Sequence, residues 1–177
     1  MGVPAGKLGK TVIGAEELAA RVQALGRQIT EDYHDRQPLL VGVLKGAFIF
    51  MSDLGREINR PVEFDFMAVS SYGDSTESSG VVRIVKDLET DIRDRDVILV
   101  EDIVDSGLTL RYLRQLLEDR GPTSLEVCAL LVREGARSDD VKYVGFPIPP
   151  DFVVGYGLDV AQHYRELDSI RVFESAE

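Results

Sequence analysis

Three carboxylates, two hydroxyls and a glycine crowd into one short stretch of this chain: Glu101, Asp102, Asp105, Ser106, Gly107 and Thr109. Adjacent acids such as Glu101 and Asp102 suit sugar hydroxyls or a hydrated divalent cation, which needs only one or two protein carboxylates. Ser106-Gly107-Leu108-Thr109 adds hydroxyls, little side-chain bulk and free backbone N–H groups. At the start of a helix that combination seats a phosphate. Together they describe an acidic site beside an anion cradle, which suits a metal-bound sugar phosphate. Each half also has a plain structural reading. Ser and Asp favour helix N-caps in any protein, and paired acids also occur at solvated loop corners.

The elements that must carry these residues can be read around them. Val97-Ile98-Leu99-Val100 is a buried strand ending at the acids, and a helical pattern with Leu113, Leu116 and Leu117 follows the cradle. In an open parallel sheet, ligands bind beyond the carboxyl ends of strands, where these acids lie. Upstream, Leu18, Val22, Leu25, Ile29 and Tyr33 form one stripe of a helix over 15–33. Leu39 to Leu44 is a second buried strand, ended by Lys45-Gly46, and 47–58 reads as a helix. Residues 64–68 and 81–85 read as strands around an unpatterned polar loop at 70–80. Further strands are expected at 125–132, 141–146 and 170–173, and a loose tail at 1–10. Short alternation of strands and helices predicts an α/β fold with a mainly parallel sheet. The segments around 67–85 and after Phe146 break that alternation, as a small lobe or hood over the sheet edge would.

Composition sets the bounds. The 177 residues are enough for one domain, and 44% hydrophobic content is ordinary for a globular chain. Twenty Lys+Arg against 31 Asp+Glu give a net charge of -11, which repels nucleic acid and anionic membranes at long range. A single cysteine, Cys128, leaves no intrachain disulfide, as in a reducing compartment. No apolar run approaches the ~20 residues that span a bilayer, and no signal-like apolar segment opens the chain. A cytoplasmic protein without nucleic-acid or membrane partners is therefore expected.

The order apolar run, Glu101-Asp102, two apolar residues, Asp105, Ser106, Gly107, Thr109 resembles the phosphoribosyl diphosphate-binding signature of type I phosphoribosyltransferases. Three further stretches are similar to motifs of the hypoxanthine-guanine phosphoribosyltransferases: Val43-Leu44-Lys45-Gly46-Ala47, Ser70-Ser71-Tyr72-Gly73 and Asp151 to Asp159. They occur in the family's order and cover most of residues 12–170. The resemblance implies a central, mainly parallel twisted sheet flanked by helices. It places a single domain at 11–177, with a hood from the N- and C-terminal segments and a mobile lid at about 70–80. It implies reversible transfer of the phosphoribosyl group from phosphoribosyl diphosphate to hypoxanthine or guanine, with Mg²⁺, in a homodimer or homotetramer.

Roles carry over residue by residue. The resemblance gives Asp105, Ser106, Gly107, Leu108 and Thr109 the 5′-phosphate, and Asp105 also the part of general base toward purine N7. Glu101 and Asp102 take the ribose hydroxyls and metal; Asp159 takes a second Mg²⁺ through water and lies by the purine. Lys45, Gly46 and Arg165 take pyrophosphate, with a cis peptide between Leu44 and Lys45. Ile103, Phe152 and Val153 take the purine, and Ser71 and Tyr72 open the lid. The family's usual lysine toward the purine 6-oxo group is replaced here by Arg133, so preference among hypoxanthine, guanine and xanthine stays open. Read from residues alone, Lys45 and Arg165 are ordinary surface cations and Phe152 an ordinary core aromatic. Three rivals remain: a xanthine-preferring relative, an RNA-binding regulator of the same fold, and a receiver-type signalling domain with an acidic pocket. The net charge opposes the second; the third leaves the Ser106–Thr109 cradle and the 151–159 motif without purpose.

Overall fold

The computed structural model describes residues 4–71 and 82–176. In chain order the elements are β1 (Gly6–Ile13), α1 (Ala15–Asp32), β2 (Leu39–Leu44), α2 (Phe48–Glu57), β3 (Glu63–Ser71) and β4 (Val82–Lys86). There follow β5 (Asp96–Val104), α3 (Leu108–Glu118), β6 (Ser124–Arg133), β7 (Tyr143–Ile148), β8 (Val153–Val154) and β9 (Ile170–Ser175). Six strands form the main sheet in the order β4-β3-β2-β5-β6-β7. All pair in parallel except the β3–β4 edge, which is antiparallel.

β5 lies inside this sheet, which explains its unbroken apolar run. A strand flanked on both sides and covered on both faces has no solvent side to alternate toward. Its side chains still divide by parity. Ile98 and Val100 join Leu18, Val22, Leu25, Phe50 and Leu54 of α1 and α2 in one core layer. Val97 and Leu99 join Leu110, Leu113 and Leu117 of α3 in the other. The acids that follow inherit this division, so neighbouring carboxylates leave the strand toward opposite faces.

Two expectations are corrected. Residues 6–10 are not a tail: β1 starts at Gly6 and pairs antiparallel with β9, Leu8 opposite Phe173. Its partner lies at the far end of the chain, so local patterning carries no trace of the pairing. The strands at 63–71 and 82–86 are not part of a separate lobe, because β3 and β4 belong to the main sheet. The second, three-stranded sheet has the order β1-β9-β8 and draws only on the two ends of the chain. Helix 47–58 and strand 141–146 stand as α2 and β7, with ends shifted by one or two residues.

Candidate active site

Strand ends and their loops assemble the site. β5 delivers Glu101, Asp102 and Ile103 at its carboxyl end, and the loop to α3 delivers Asp105 and Ser106. Gly107 caps α3 in the left-handed region, at φ 82°. A Cβ there would also stand 2.5 Å from the Arg137 carbonyl oxygen, so glycine is required on two counts. The Leu108 N–H donates to Ser106 Oγ at 3.3 Å, and Arg111 N–H is the first to bond back, to Gly107 O. The N–H groups of Thr109 and Leu110 thus fall in a first turn, where helices lack internal acceptors. Glu101 to Ser106, Gly107, Thr109 and Leu110 line one cleft of about 210 Å³.

A second cleft, of about 260 Å³, adjoins it and is lined by Asp102, Ile103, Asp105, Arg133, Phe152, Val153, Leu158 and Asp159. Residues far apart in the chain meet here: Arg133 from the end of β6, Phe152 and Val153 from the turn into β8, and Asp159 from the loop beyond it. Phe152 is not core. It is 54% exposed, with its edge toward Phe173 at a centroid distance of 6.5 Å. Arg133 Nε donates to Asp105 Oδ1 at 2.5 Å.

The third part is the turn after β2. The Leu44–Lys45 peptide is cis. A Cβ at Gly46 would lie 1.7 Å from Asp102 Oδ2, and one at Gly157 would lie 2.2 Å from the Gly46 carbonyl oxygen. Glycine at 46 and 157 therefore lets the β2 turn pass between the acids and the loop after β8. The Tyr156 hydroxyl donates to Asp53 Oδ2 of α2 at 2.5 Å, which fixes that loop beside the turn. Lys45 Nζ donates to Gln162 Oε1 at 3.1 Å, and Arg165 Nη2 donates to the same oxygen at 3.3 Å. Gln162 thus joins the two cations, and Arg165 also pairs with Asp159 at 2.8 Å.

The electrostatics are uneven. Burial, and then the charge of Asp102, push the Glu101 carboxyl well above the usual range. Burial raises Asp102 too, although hydrogen bonding from the Ile103 N–H works against it. Buried, mutually repelling carboxylates are relieved by a nearby cation.

The sequence pattern of the family described as Phosphoribosyl transferase domain matches residues 13–161. The chain belongs to the phosphoribosyl transferase family. A hypoxanthine-guanine phosphoribosyltransferase of Mycobacterium avium is 54% identical over 173 residues, covering 93% of this chain and 85% of the relative. One of Bacillus subtilis is 49% identical over 169 residues, covering 94% of each. A crystal structure of a hypoxanthine-guanine phosphoribosyltransferase from Bacillus anthracis, with a HEPES molecule in its active site, shares the fold. Its TM-score is 0.89 at 42% identity, over 94% of this chain and 99% of that one.

The two clefts adjoin along Asp102, Ile103 and Asp105, which line both. Of the residues expected from sequence, Glu101, Asp102, Ile103, Asp105, Ser106, Gly107, Thr109, Arg133, Phe152, Val153 and Asp159 gather around the clefts, whereas Leu108 lines neither; Gly46 packs on Asp102, and Lys45 and Arg165 meet at Gln162. Ser71 ends β3, and Tyr72 lies outside the described residues, as does most of the 70–80 loop. Sequence reasoning missed Gln162, which joins the two cations, and Leu158, which lines the second cleft. The only signal for Gln162 was its place three residues after Asp159, whose Oδ2 accepts the Gln162 N–H at 2.7 Å. A separate cavity of about 520 Å³ between α1, α2 and Tyr156 holds none of the expected site residues.

Among the described residues no three acids, histidines or cysteines cluster to hold a metal alone. Glu101 and Asp102 are adjacent acids at one strand end, a donor set that suits a hydrated divalent cation taking its remaining oxygens from water and substrate.

Proposed function

We propose that the protein transfers the 5-phosphoribosyl group from phosphoribosyl diphosphate to hypoxanthine or guanine in purine salvage, giving IMP or GMP and pyrophosphate. The carrying observation is the half-apolar cleft lined by Ile103, Phe152 and Arg133 that meets the phosphate loop at Asp105. The base lies in that cleft against Ile103 and Phe152, with Val153 at its edge. The sugar phosphate lies on the loop from Asp105 to Thr109, held by backbone N–H groups and the Ser106 and Thr109 hydroxyls. Purine N9 forms the new bond to the anomeric carbon as the bond to the pyrophosphate oxygen breaks. Asp105 accepts the N7 proton, a role worth roughly 10²–10⁴-fold in rate. Lys45, the Gly46 backbone and Arg165 hold the departing pyrophosphate, where negative charge grows as the bond breaks.

Mg²⁺ fits beside Glu101, Asp102 and Asp159, and when bound it would neutralise pyrophosphate charge. Arg133 donates to the 6-oxo group; adenine offers a donor at that position and is refused. Ser71 and Tyr72 begin a lid over the reacting centre. Apolar surface around α2, where Phe48 and Phe64 stand 43% and 46% exposed, supports a homodimer or homotetramer. The buried single thiol of Cys128 suits the cytoplasm. The test is a spectrophotometric assay of hypoxanthine, guanine, xanthine and adenine with phosphoribosyl diphosphate and Mg²⁺. Turnover of hypoxanthine or guanine supports the reading; turnover of xanthine alone, or of none, overturns it.

A further inference from the structure

Arg133 spends its donors on two separate segments, the loop after β5 and the turn before β8. Nε holds Asp105 Oδ1 at 2.5 Å, while Nη1 donates to the carbonyl oxygens of Pro149 at 2.8 Å and Asp151 at 3.0 Å. The Arg133 side chain is 18% exposed, whereas that of Asp105 is 71% exposed. Among the described residues no other group bonds the Asp105 carboxylate. Arg133 is thus what gives Asp105 a fixed direction. The same guanidinium pins the turn from which Phe152 projects.

We propose that Arg133 is a positioning residue that locks the proton acceptor Asp105 and the Phe152 turn into one unit, so that base recognition and proton acceptance are set together. This rests on the purine reading above and extends it.

The geometry of the side chain supplies the reason. Guanidinium is planar, with donors at fixed angles, so an acid on Nε leaves Nη2 pointing alongside that acid. Nη2 has no partner among the described residues. With Nε on Asp105 Oδ1, the second carboxylate oxygen and Nη2 are the acceptor and the donor this pair has left for a ligand. On a purine, N7 and the 6-substituent are neighbours on one edge. A 6-oxopurine with a proton on N7 offers the complementary donor and acceptor; a 6-aminopurine sets donor against donor. A lysine has one nitrogen for all these partners and cannot span Asp105, both carbonyls and the base at once.

Arg133→Lys and Arg133→Ala separate this from general structural support. In Arg133→Lys, kcat with hypoxanthine should fall roughly 10–100-fold, the size of effect expected from a misplaced reacting group. KM for phosphoribosyl diphosphate should stay within about twofold, since the pyrophosphate side is untouched. Amide hydrogen exchange at Asp151 and Phe152 in the substrate-free protein should quicken. Added guanidinium ion should restore part of the lost kcat in Arg133→Ala. A kcat of Arg133→Lys within about twofold of wild type, or unchanged exchange at Asp151 and Phe152, would overturn the proposal. The exchange measurement needs no substrate, so it stays decisive for Arg133 even if the wild-type protein ignores hypoxanthine and guanine, a result that would instead remove the purine reading.

Discussion

Asp105 and Phe152 carry opposite lessons about what a residue's surroundings decide. Asp105 stands at a strand end beside the loop proposed to seat the phosphate, and its position was readable because strand, acids and loop lie within a few residues, whereas the Arg133 that orients it lies in another strand. Replacing it with asparagine keeps the shape and removes the basic oxygen. Asp105→Asn should lower kcat by roughly 10²–10⁴-fold, with phosphoribosyl diphosphate affinity by titration calorimetry nearly unchanged. Phe152 sits in an apolar run and reads as core; only the folded chain shows its ring open toward the cleft. Aromatic stacking contributes about 0.5–1.5 kcal/mol beyond area burial. Phe152→Ala should therefore weaken purine binding by roughly 2–10-fold or more, with little change in melting temperature, because an exposed ring adds little to the core.

Among the elements, the corner after β5 was legible and the sheet at the chain ends was not. Strand, acids, small-residue loop and helix start follow one another locally, so their meaning survives without tertiary context. β1 depends on β9, more than 150 residues away, and glycines at 6 and 9 that read as slack leave room for Phe173 and Glu174. Gln162 was equally hidden, since its partners Lys45 and Arg165 meet it only in the fold. The close passage of Gly157 past Gly46 gives a sharp test. Gly157 has φ 105°, and its Cβ would strike the Gly46 carbonyl. Gly157→Ala should destabilise the fold by roughly 1–3 kcal/mol and weaken phosphoribosyl diphosphate binding, both readable from melting curves with and without that ligand.

Asp65 is the comparable anchor on β3. Its carboxylate accepts the N–H groups of Phe66 at 2.7 Å, Glu89 at 3.0 Å and Thr90 at 2.8 Å. Burial pushes its carboxyl up, but the N–H groups of Thr90, Phe66 and Glu89 prevail and hold it below the ordinary value. A carboxyl held low in the folded state adds stability above its unfolded pKa of about 3.9, lost as pH falls through the folded value. Asp65→Asn should cost roughly 1–3 kcal/mol at neutral pH and flatten the acid limb of the stability curve. An unchanged acid limb in urea titrations would remove Asp65 from that role.

At the scale of the whole molecule, charge and topology point the same way. A net charge of -11 surrounds a site whose local cations, Lys45, Arg133 and Arg165, are all engaged by side chains of the site itself. Such a surface should not retain generic RNA in a filter-binding assay at physiological salt, and retention would favour the regulator reading. The parallel sheet was foreseeable from alternating strands and helices, yet fold by itself fixes no chemistry. What specifies it, in the proposed reading, is the meeting of the Asp105–Thr109 loop with the cleft walled by Phe152. The most direct measurement is a crystal structure with bound GMP. Its phosphate should lie on the N–H groups of Ser106 to Thr109, its base between Ile103 and Phe152, and N7 should face Asp105. A nucleotide found elsewhere, or a phosphate loop left empty at saturating GMP, would contradict the proposed reading.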